Sequence, residues 1–346
     1  MKLSGSAASD LICIGTRIRD RLSTITEMRM EFYSTKTDFD PASVLGTRIT
    51  LEADNEFKFS GIVISVEDMG HQDSIDLYAA EIRPWPWLLT IGSENRVYQN
   101  MKTADIVKDV CDKAGFSDIT VKLSGTYEAR EYCVQYGESN FDFICRIMEE
   151  DGIYYYFDHS DATEKLVLAD SVSAHTNGGT VPYTIANQVG GKQGDSNSIF
   201  EWAEVGKVVT GKVSLFDYEM TTPGADLKVT SNLNSGDHSH NAVERYEARG
   251  HYKVADKGEG QARAAIEGHA AGAKRYSGVS NSALITTGAI FTLDHADRPA
   301  VNGAYLVVGT THFIQFDPGY KDEAPESLNR HVERIEYPAE LGIFET

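Results

Sequence analysis

The chain has 346 residues, which is longer than most single domains, so we expect two or more domains. Its formal net charge of −20 argues against nucleic acid and against an anionic membrane surface as partners, because phosphate binding needs clustered Lys and Arg. A hydrophobic fraction of 41% suits a globular protein, and no run approaches the roughly 18 apolar residues of a membrane span. The start of the chain lacks the apolar core of a signal peptide, so we expect synthesis in the cytoplasm.

Residues 10–66 predict a series of strands. Residues 28–33 alternate apolar and polar side chains, which is the two-residue period of a half-buried strand, and residues 48–52 and 57–66 alternate again. Residues 40–46 predict a turn that leads to a short apolar anchor. Short strands separated by polar turns are typical of a barrel or a sandwich.

Two tryptophans, Trp85 and Trp87, follow these strands among prolines that interrupt regular pairing. Their functional interpretation is an exposed anchor for a partner subunit, because tryptophan offers a large apolar area. The structural interpretation, an aromatic cluster that seals the end of a barrel, is favoured.

A small α/β segment is predicted next. Thr103 is predicted to cap a helix over residues 104–114, which Gly115 ends. Asp105 lies in the first turn of this helix, where the helix dipole favours an acid. With residues 119–134, this helix predicts a compact insertion between β-rich parts of the chain.

Residues 136–157 are the most informative stretch of the sequence. Ser139 is predicted to cap a helix, with Asp142 three residues later in the position of a capping box. Gly152 is predicted to end the helix, and residues 153–157 predict a strand with bulky residues on both faces. The helix face repeats at the spacing i, i+3, i+4 and i+7 through Phe141, Ile144, Cys145 and Met148.

The remainder of the chain predicts a loop, a helix and further strands. Residues 170–200 are rich in Gly, Ser, Asn and Thr and predict a loop, and residues 208–218 return to a strand pattern. Residues 259–276 predict a helix whose face is rich in alanine, which allows close packing. The final predicted strands cover residues 284–285, 290–293, 305–308 and 311–316.

Histidine and cysteine spacing predicts neither a metal site nor a disulfide framework. His238 and His240 form the one close pair among ten histidines, but residues 231–241 are polar and predict a loop. A structural zinc site needs about four converging ligands, so we predict no metal-binding residues. The cysteines include no C-x-x-C pair, and a buried, reduced thiol is expected for each: Cys13, Cys111, Cys133 and Cys145.

Two other histidines favour structural roles. His269 lies on the apolar face of the last predicted helix and is expected to be a core histidine with satisfied hydrogen bonds. His295 lies between Asp294 and Asp297, whose carboxylates could orient its ring. No nucleophile stands at a recognisable spacing from His295.

An acidic run at Glu149, Glu150 and Asp151 resembles a pair of acids for general acid–base catalysis, but a solvated helix end is favoured. Acids at a helix C-terminus oppose the helix dipole, which suggests a cationic partner, Arg146 or a neighbouring subunit. Gly258 and Gly260 are predicted only to lead into the last helix, and the sequence has no P-loop, dinucleotide fingerprint or G-x-S-x-G elbow. We therefore predict no catalytic or cofactor-binding residues.

The order of these features resembles a known family. Residues 136–157 resemble the central segment of VgrG proteins, the spike-hub components of bacterial type VI secretion systems, and of baseplate hub proteins of contractile phages. The resemblance covers most of residues 15–315 in colinear order. Further matching stretches are residues 22–27, 42–46, 59–63, 213–218, 223–227 and 290–312.

The resemblance implies an α+β, β-rich fold with two tube-type β-barrel domains, a small α/β insertion and a helix-containing subdomain. Residues 1–95 are expected to form the first barrel and residues 96–165 the insertion. Residues 166–346 are expected to form the second barrel, with loop and helix excursions at 240–278.

The resemblance also implies a structural, non-enzymatic function. A homotrimer of the chain would adapt a hexameric, Hcp-like tube to a membrane-puncturing spike, after which the apparatus delivers it out of the cytoplasm into a target cell. No short repeat of the spike needle is visible, so a PAAR-type tip and effectors would attach through other parts. A phage tail baseplate hub and a hydrolase effector are the alternatives.

Overall fold

The computed structural model describes residues 2–6, 8–36, 38–53, 57–72, 75–161, 163–184, 197–248, 250, 252–315 and 341–345. Within these ranges the protein is β-rich, with few and mostly short helices. The chain forms two compact units. The first comprises Met1–Arg146, Tyr154–Glu201 and Gly278–Thr346, and the second comprises Ile147–Ile153 and Trp202–Ser277.

The first half of the chain opens with strands and then mixes strands and helices. The opening strands are β1 (Lys2–Ser4), β2 (Leu11–Arg21), β3 (Glu27–Ser34), β4 (Arg48–Glu52), β5 (Lys58–Gln72) and β6 (Ile75–Arg83). The mixed segment contains α1 (Leu88–Ile91), β7 (Ser93–Tyr98), α2 (Thr103–Lys113), β8 (Ile119–Lys122), β9 (Cys133–Ser139), α3 (Asn140–Glu150), β10 (Tyr154–Asp158) and β11 (Lys165–Ala169).

The second half is also mostly strands. Its elements are β12 (Thr176–Pro182), β13 (Ile199–Gly206), β14 (Lys212–Phe216), β15 (Val229–Asn232), β16 (Glu244–Ala248), α4 (Ala255–Ala270), β17 (Lys274–Ser280), β18 (Ala289–Asp294), β19 (Gly303–Leu306), β20 (Gly309–Gln315) and β21 (Leu341–Glu345).

A large sheet has the strand order β1-β4-β5-β6-β3-β2-β20-β21-β17-β13. The predicted alternation over residues 28–33 is confirmed in β3, where Met28, Met30 and Phe32 are buried in the core below the sheet. The strand predicted over residues 48–52 is confirmed as β4. β2 pairs antiparallel with β20, so strands from opposite ends of the chain lie side by side.

The predicted signals at both ends of α3 are confirmed. The Ser139 hydroxyl accepts a hydrogen bond from the backbone N–H of Asp142 at 3.0 Å and donates to its carboxylate at 2.7 Å. At the other end Gly152 has a φ of +69°, and its N–H donates to the carbonyl of Glu149. The N–H of Ile153 donates to the carbonyl of Met148, which completes a Schellman motif and turns the chain into β10.

The prediction for Thr103 is wrong in its detail. α2 begins at Thr103, and its cap residue is Lys102, which provides no side-chain cap. The Thr103 hydroxyl instead accepts a hydrogen bond from Nε of Arg130 at 2.8 Å, so a tertiary contact occupies the group that the local pattern assigned to capping. Gly115, with a φ of +88°, ends the helix as predicted.

The predicted loop over residues 170–200 is wrong for residues 176–182. These form β12, which pairs in parallel with β18, and β18 pairs antiparallel with β19. The register shifts between Asn177 and Gly179, and the Asn177 side chain accepts a hydrogen bond from the Gly179 N–H. The glycine that suggested a loop therefore forms a bulge within a strand. Gly190 and Gly191 lie outside the described residues, and residues 284–285, predicted as a strand, lie in a turn.

The second unit packs α4 against a three-stranded sheet of order β15-β14-β16. α4 spans Ala255–Ala270, so the helix predicted over residues 259–276 begins too late and ends too late. The prediction that Gly258 and Gly260 only lead into the helix is wrong, because both lie inside it. Glycine is needed at position 258, since a Cβ there would come within 2.6 Å of the Tyr252 ring. Ala262 and Ile266 are buried on the predicted alanine-rich face, whereas His269 is only half-buried in the last turn and is not a core residue.

Candidate functional site

The chemistry-bearing residues singled out in the sequence do not converge. His238 and His240 lie in a turn, with ring centroids 6.2 Å apart, and the His240 N–H donates to Nδ1 of His238 at 3.2 Å. His295 stacks on Tyr183 at 4.0 Å and accepts from the N–H of Arg298, so a ring and a backbone group orient it. In the described part of the chain, no group of three or more His, Cys, Asp or Glu side chains is placed to hold a metal ion.

Arg146, the cationic partner suggested from the sequence for the acidic helix end, also contacts groups outside that run. Arg146 directs its guanidinium to the carboxylate of Glu138, at 2.6 and 3.1 Å, and to the carbonyl of Val134. Glu149 and Glu150 form the end of α3, and Asp151 follows in the turn closed by Gly152. This run is placed as a helix end, which is the interpretation favoured from the sequence.

A buried carboxylate, which sequence reasoning missed, joins distant parts of the first unit. Glu164 is fully buried, and its Oε1 accepts from the backbone N–H of Trp85 at 2.8 Å. Its Oε2 accepts from the Ser60 hydroxyl at 2.9 Å and from the guanidinium of Arg48. We call these four residues the Glu164 junction, and it holds β4, β5 and the segment after β6 to the loop before β11.

Trp85 is part of this junction and not an exposed anchor. Its side chain is fully buried and stacks on Phe116 with ring centroids 4.7 Å apart. Trp87 is half-buried. The exposed-anchor interpretation is therefore wrong for Trp85, and its aromatic packing agrees with the other interpretation, whose barrel end stays a prediction.

A cluster of two imidazoles and two phenyl rings lies beside the junction. The ring of His159 lies 4.4 Å from Phe59, and the ring of His312 lies 4.1 Å from Phe57. Nδ1 of His159 accepts from the Ser60 N–H, and Nε2 of both histidines is buried without a hydrogen-bond partner among the described residues. Burial lowers the pKa of His159 to about 4 and that of His312 to about 3, so both rings are neutral near pH 7.

A cleft of about 760 Å³ in the first unit is lined by Asp20, Lys122 and His159, among others. Burial raises the pKa of Asp20 to about 6, although the Thr26 hydroxyl donates to its carboxylate at 2.7 Å. Lys122 donates to the hydroxyl of Tyr156 and to a backbone carbonyl. Asp20 and Lys122 thus make hydrogen bonds within the surrounding structure, and His159 does so through Nδ1.

Exposed apolar side chains mark two sheet faces. On β7 and β9 and beside them, Val97, Tyr132 and Tyr136 are 56%, 61% and 81% exposed. In the second unit Val213 and Leu215 face the core with α4, so alternation places Ser214 and Phe216 on the opposite face. Tyr246 pairs with Ser214 there and is 54% exposed, and β16 is exposed at all five positions. Exposed apolar faces of this kind are typical of protein–protein contact.

Comparison with known proteins decides the family. The model of the phage tail baseplate hub (GPD) family matches residues 19–318. The chain belongs to the phage tail baseplate hub family. The matched range includes the Glu164 junction, the imidazole cluster and both exposed faces, so these are features of a hub chain.

The curated relatives of this hub chain include type VI secretion spike proteins of Pseudomonas aeruginosa. Spike protein VgrG1b is 34% identical over 303 residues, which cover 86% of this chain and 40% of that protein. Spike protein VgrG1a is 37% identical over 259 residues, which cover 74% of this chain and 40% of that protein. The hub chain thus spans about two fifths of the length of these relatives, and the predicted resemblance to VgrG proteins is confirmed.

Solved structures give the same fold. The E. coli c3393 protein superposes with a TM-score of 0.71. That protein is a component of the type VI secretion system and has structural similarity to the T4 bacteriophage tail proteins gp27 and gp5. Its sequence is 19% identical, and the match covers 100% of this chain and 76% of that one. Among the described residues of the hub chain, no helix has the length and apolar character to cross a membrane.

Proposed function

We propose that the chain is the structural hub of a contractile injection apparatus, a trimeric adapter that joins a hexameric, Hcp-like tube to a membrane-puncturing spike in type VI secretion. The observation that carries this proposal is the 34% and 37% identity to type VI spike proteins over most of the chain. The matched part of those relatives is two fifths of their length, so the needle, a PAAR-type tip and effectors belong to other parts or other chains.

The symmetry of the adapter rests on two similar barrels in each chain. We assign residues 1–95 to the first tube-type barrel, 96–165 to the α/β insertion, and 166–346 to the second barrel with its excursions at 240–278. Three chains with two barrels each present six similar docking surfaces, which match a hexameric tube. A closed ring of identical chains forms through heterologous contacts between neighbouring subunits.

The mechanism is mechanical and not enzymatic. The hub assembles in the cytoplasm and is driven out with the tube and spike when the sheath contracts. The Glu164 junction supports such a role, because it fixes β4 and β5 to the loop before β11 through one buried carboxylate. The exposed faces around Tyr136 and Tyr246 supply apolar area for contacts with other subunits.

A phage tail baseplate hub is the second candidate. The family model is that of a phage tail hub, which favours this alternative. The similar E. coli protein is a type VI component with structural similarity to T4 tail proteins, so the shared fold is compatible with both candidates. The two candidates differ in the tube protein that the ring accepts. A hub of type VI secretion binds an Hcp-like hexamer, and a phage hub binds a phage tail tube protein.

The mass of the protein in solution tests the proposal. Sedimentation equilibrium at micromolar concentration is expected to give three times 38.1 kDa, and electron microscopy with added Hcp-like hexamers is expected to show rings stacked coaxially on the trimer. A monomer that also fails to bind tube hexamers would contradict the adapter function. A trimer that binds only a phage tube protein would move the assignment to the second candidate.

A further inference from the structure

A pocket of about 470 Å³ in the second unit has a mainly apolar lining into which a few polar and charged side chains are set. It lies where β13 ends and β17 begins, next to the end of α4 and to the turn at residues 235–238. Lys207, just after β13, and Lys274, the first residue of β17, line it together with Ser235 and His238. The backbone N–H of Lys207 donates to the carbonyl of Ala273 at 2.7 Å, which keeps the end of β13 paired with the start of β17.

The pocket contains hydrogen-bond donors that lack acceptors. Nδ1 of His238 accepts from the N–H of His240, so in the neutral ring the proton lies on Nε2. Nε2 of His238 and Oγ of Ser235 are buried, and neither has a hydrogen-bond partner in the described part of the chain. Buried donors are normally matched by an acceptor, so two unmatched groups at one pocket point to a missing acceptor.

The protein itself supplies few acceptors at this place. Glu204 is the carboxylate in the lining, and it is already paired with Lys274 at 3.1 Å. Carbonyl groups at the end of α4 are also engaged, because those of Glu267 and His269 accept from the N–H groups of Ala271 and Gly272. Lys207 is exposed, and its ammonium group adds positive charge at the rim.

The local charge differs from that of the whole chain. Residues 202–277 contain ten Lys and Arg residues and ten Asp and Glu residues, whereas the chain as a whole has a net charge of −20. The excess of negative charge therefore lies outside this range, and an anion that approaches the pocket meets less repulsion than elsewhere on the surface. Gly236, with a φ of +115°, keeps the turn close to the imidazole, since a Cβ would lie 3.3 Å from Cδ2 of His238.

We propose that this pocket binds an oxyanion, with His238 and Ser235 as hydrogen-bond donors and Lys207 as the compensating charge. The same chemistry is offered by a carboxylate on an acidic polypeptide segment and by a free inorganic oxyanion such as phosphate. The proposal rests on these residues alone and not on the proposed function.

Isothermal titration calorimetry of the full chain tests the proposal in two arms. One arm uses sodium phosphate and the other a glutamate-rich peptide, both against sodium chloride at equal ionic strength. Saturable binding beyond the chloride control is expected in at least one arm. Binding of the peptide alone identifies a polypeptide carboxylate as the ligand, and binding of phosphate alone identifies a free oxyanion.

Variants connect the binding to the pocket. Lys207→Gln and Ser235→Ala are each expected to weaken binding several-fold, whereas Lys228→Gln, which removes an exposed lysine of the same unit outside the pocket, is expected to leave it unchanged. Thermal unfolding confirms that each variant is folded. Equal binding by wild type and Lys207→Gln, or no binding above chloride in both arms, would overturn the proposal.

Discussion

Replacing Glu164 by Gln is the most direct test of the junction in the first unit. The amide keeps the size of the side chain, but it replaces one acceptor oxygen with an NH₂ group that faces donors. If the nitrogen takes the place of Oε2, hydrogen bonds from Arg48 and Ser60 are lost, and the guanidinium loses its buried counter-charge. If it takes the place of Oε1, the buried N–H of Trp85 is left without an acceptor.

The expected cost follows from the burial of each partner. Removal of one member of a buried ion pair costs about 3–5 kcal/mol. The Arg48 side chain is 30% exposed and can turn to water, so the lower end, about 3 kcal/mol, applies. At about 2–4 °C per kcal/mol for a large domain, the melting temperature should fall by roughly 6–12 °C.

Urea unfolding followed by circular dichroism measures this loss, and Glu67→Gln provides the matched control. Glu67 pairs with Arg29 at 2.9 Å, but its side chain is 59% exposed, so its loss should cost only about 0–1 kcal/mol. If Glu164→Gln unfolds within about 1 kcal/mol of the wild type, or costs no more than the control, the junction does not hold the unit together as inferred.

Three further changes test separate parts of the fold. Between pH 7 and pH 4 the wild type should lose about 3 kcal/mol more stability than His159→Gln. The reason is that the His159 pKa of about 4 in the folded protein lies below that of the unfolded chain, so the unfolded chain takes up the proton first. Urea unfolding of the two proteins that changes in parallel across this pH range would contradict the prediction. Gly258→Ala should destabilise the protein by about 1–3 kcal/mol, since the new Cβ meets the Tyr252 ring. Gly268→Ala, where a Cβ would enter open space, should stabilise α4 by up to about 1 kcal/mol. Thermal melting that ranks the two variants in the reverse order would refute the packing argument. Ser139→Ala should cost about 1 kcal/mol through the lost cap, and an unchanged urea midpoint would show that the cap contributes little.

The features that could be predicted from the sequence are local ones. The cap at Ser139 and the stop at Gly152 depend on residues within a few positions of each other, and both are found as expected. β4 was readable because its side chains alternate over five residues with one face buried. These signals come from backbone geometry and from a single buried face, and they need no knowledge of the rest of the chain.

The features that could not be predicted depend on distant partners. Glu164 is one of three acids in a polar stretch, with Asp158 and Asp161, and its partners Arg48 and Trp85 lie 116 and 79 positions away. Gly258 was assigned to the start of the helix because glycine is unfavourable inside helices. The Tyr252 ring, which requires glycine at this position, cannot be placed from the sequence. β12 looked like a loop because glycine usually breaks strands, yet pairing with β18 retains it.

The pairing of β2 with β20 limits how far the protein can fold during translation. Arg21 at the end of β2 faces Gly309, so everything from β2 to Gly309 must leave the ribosome before these two strands can pair. At 5–20 residues per second, translation of the intervening stretch takes roughly 15–60 s. During that interval the edge of β2 that will pair with β20 has unpaired backbone N–H and C=O groups. Other nascent chains on the same polysome can pair with this edge, so incorrect strand pairing between chains is favoured there.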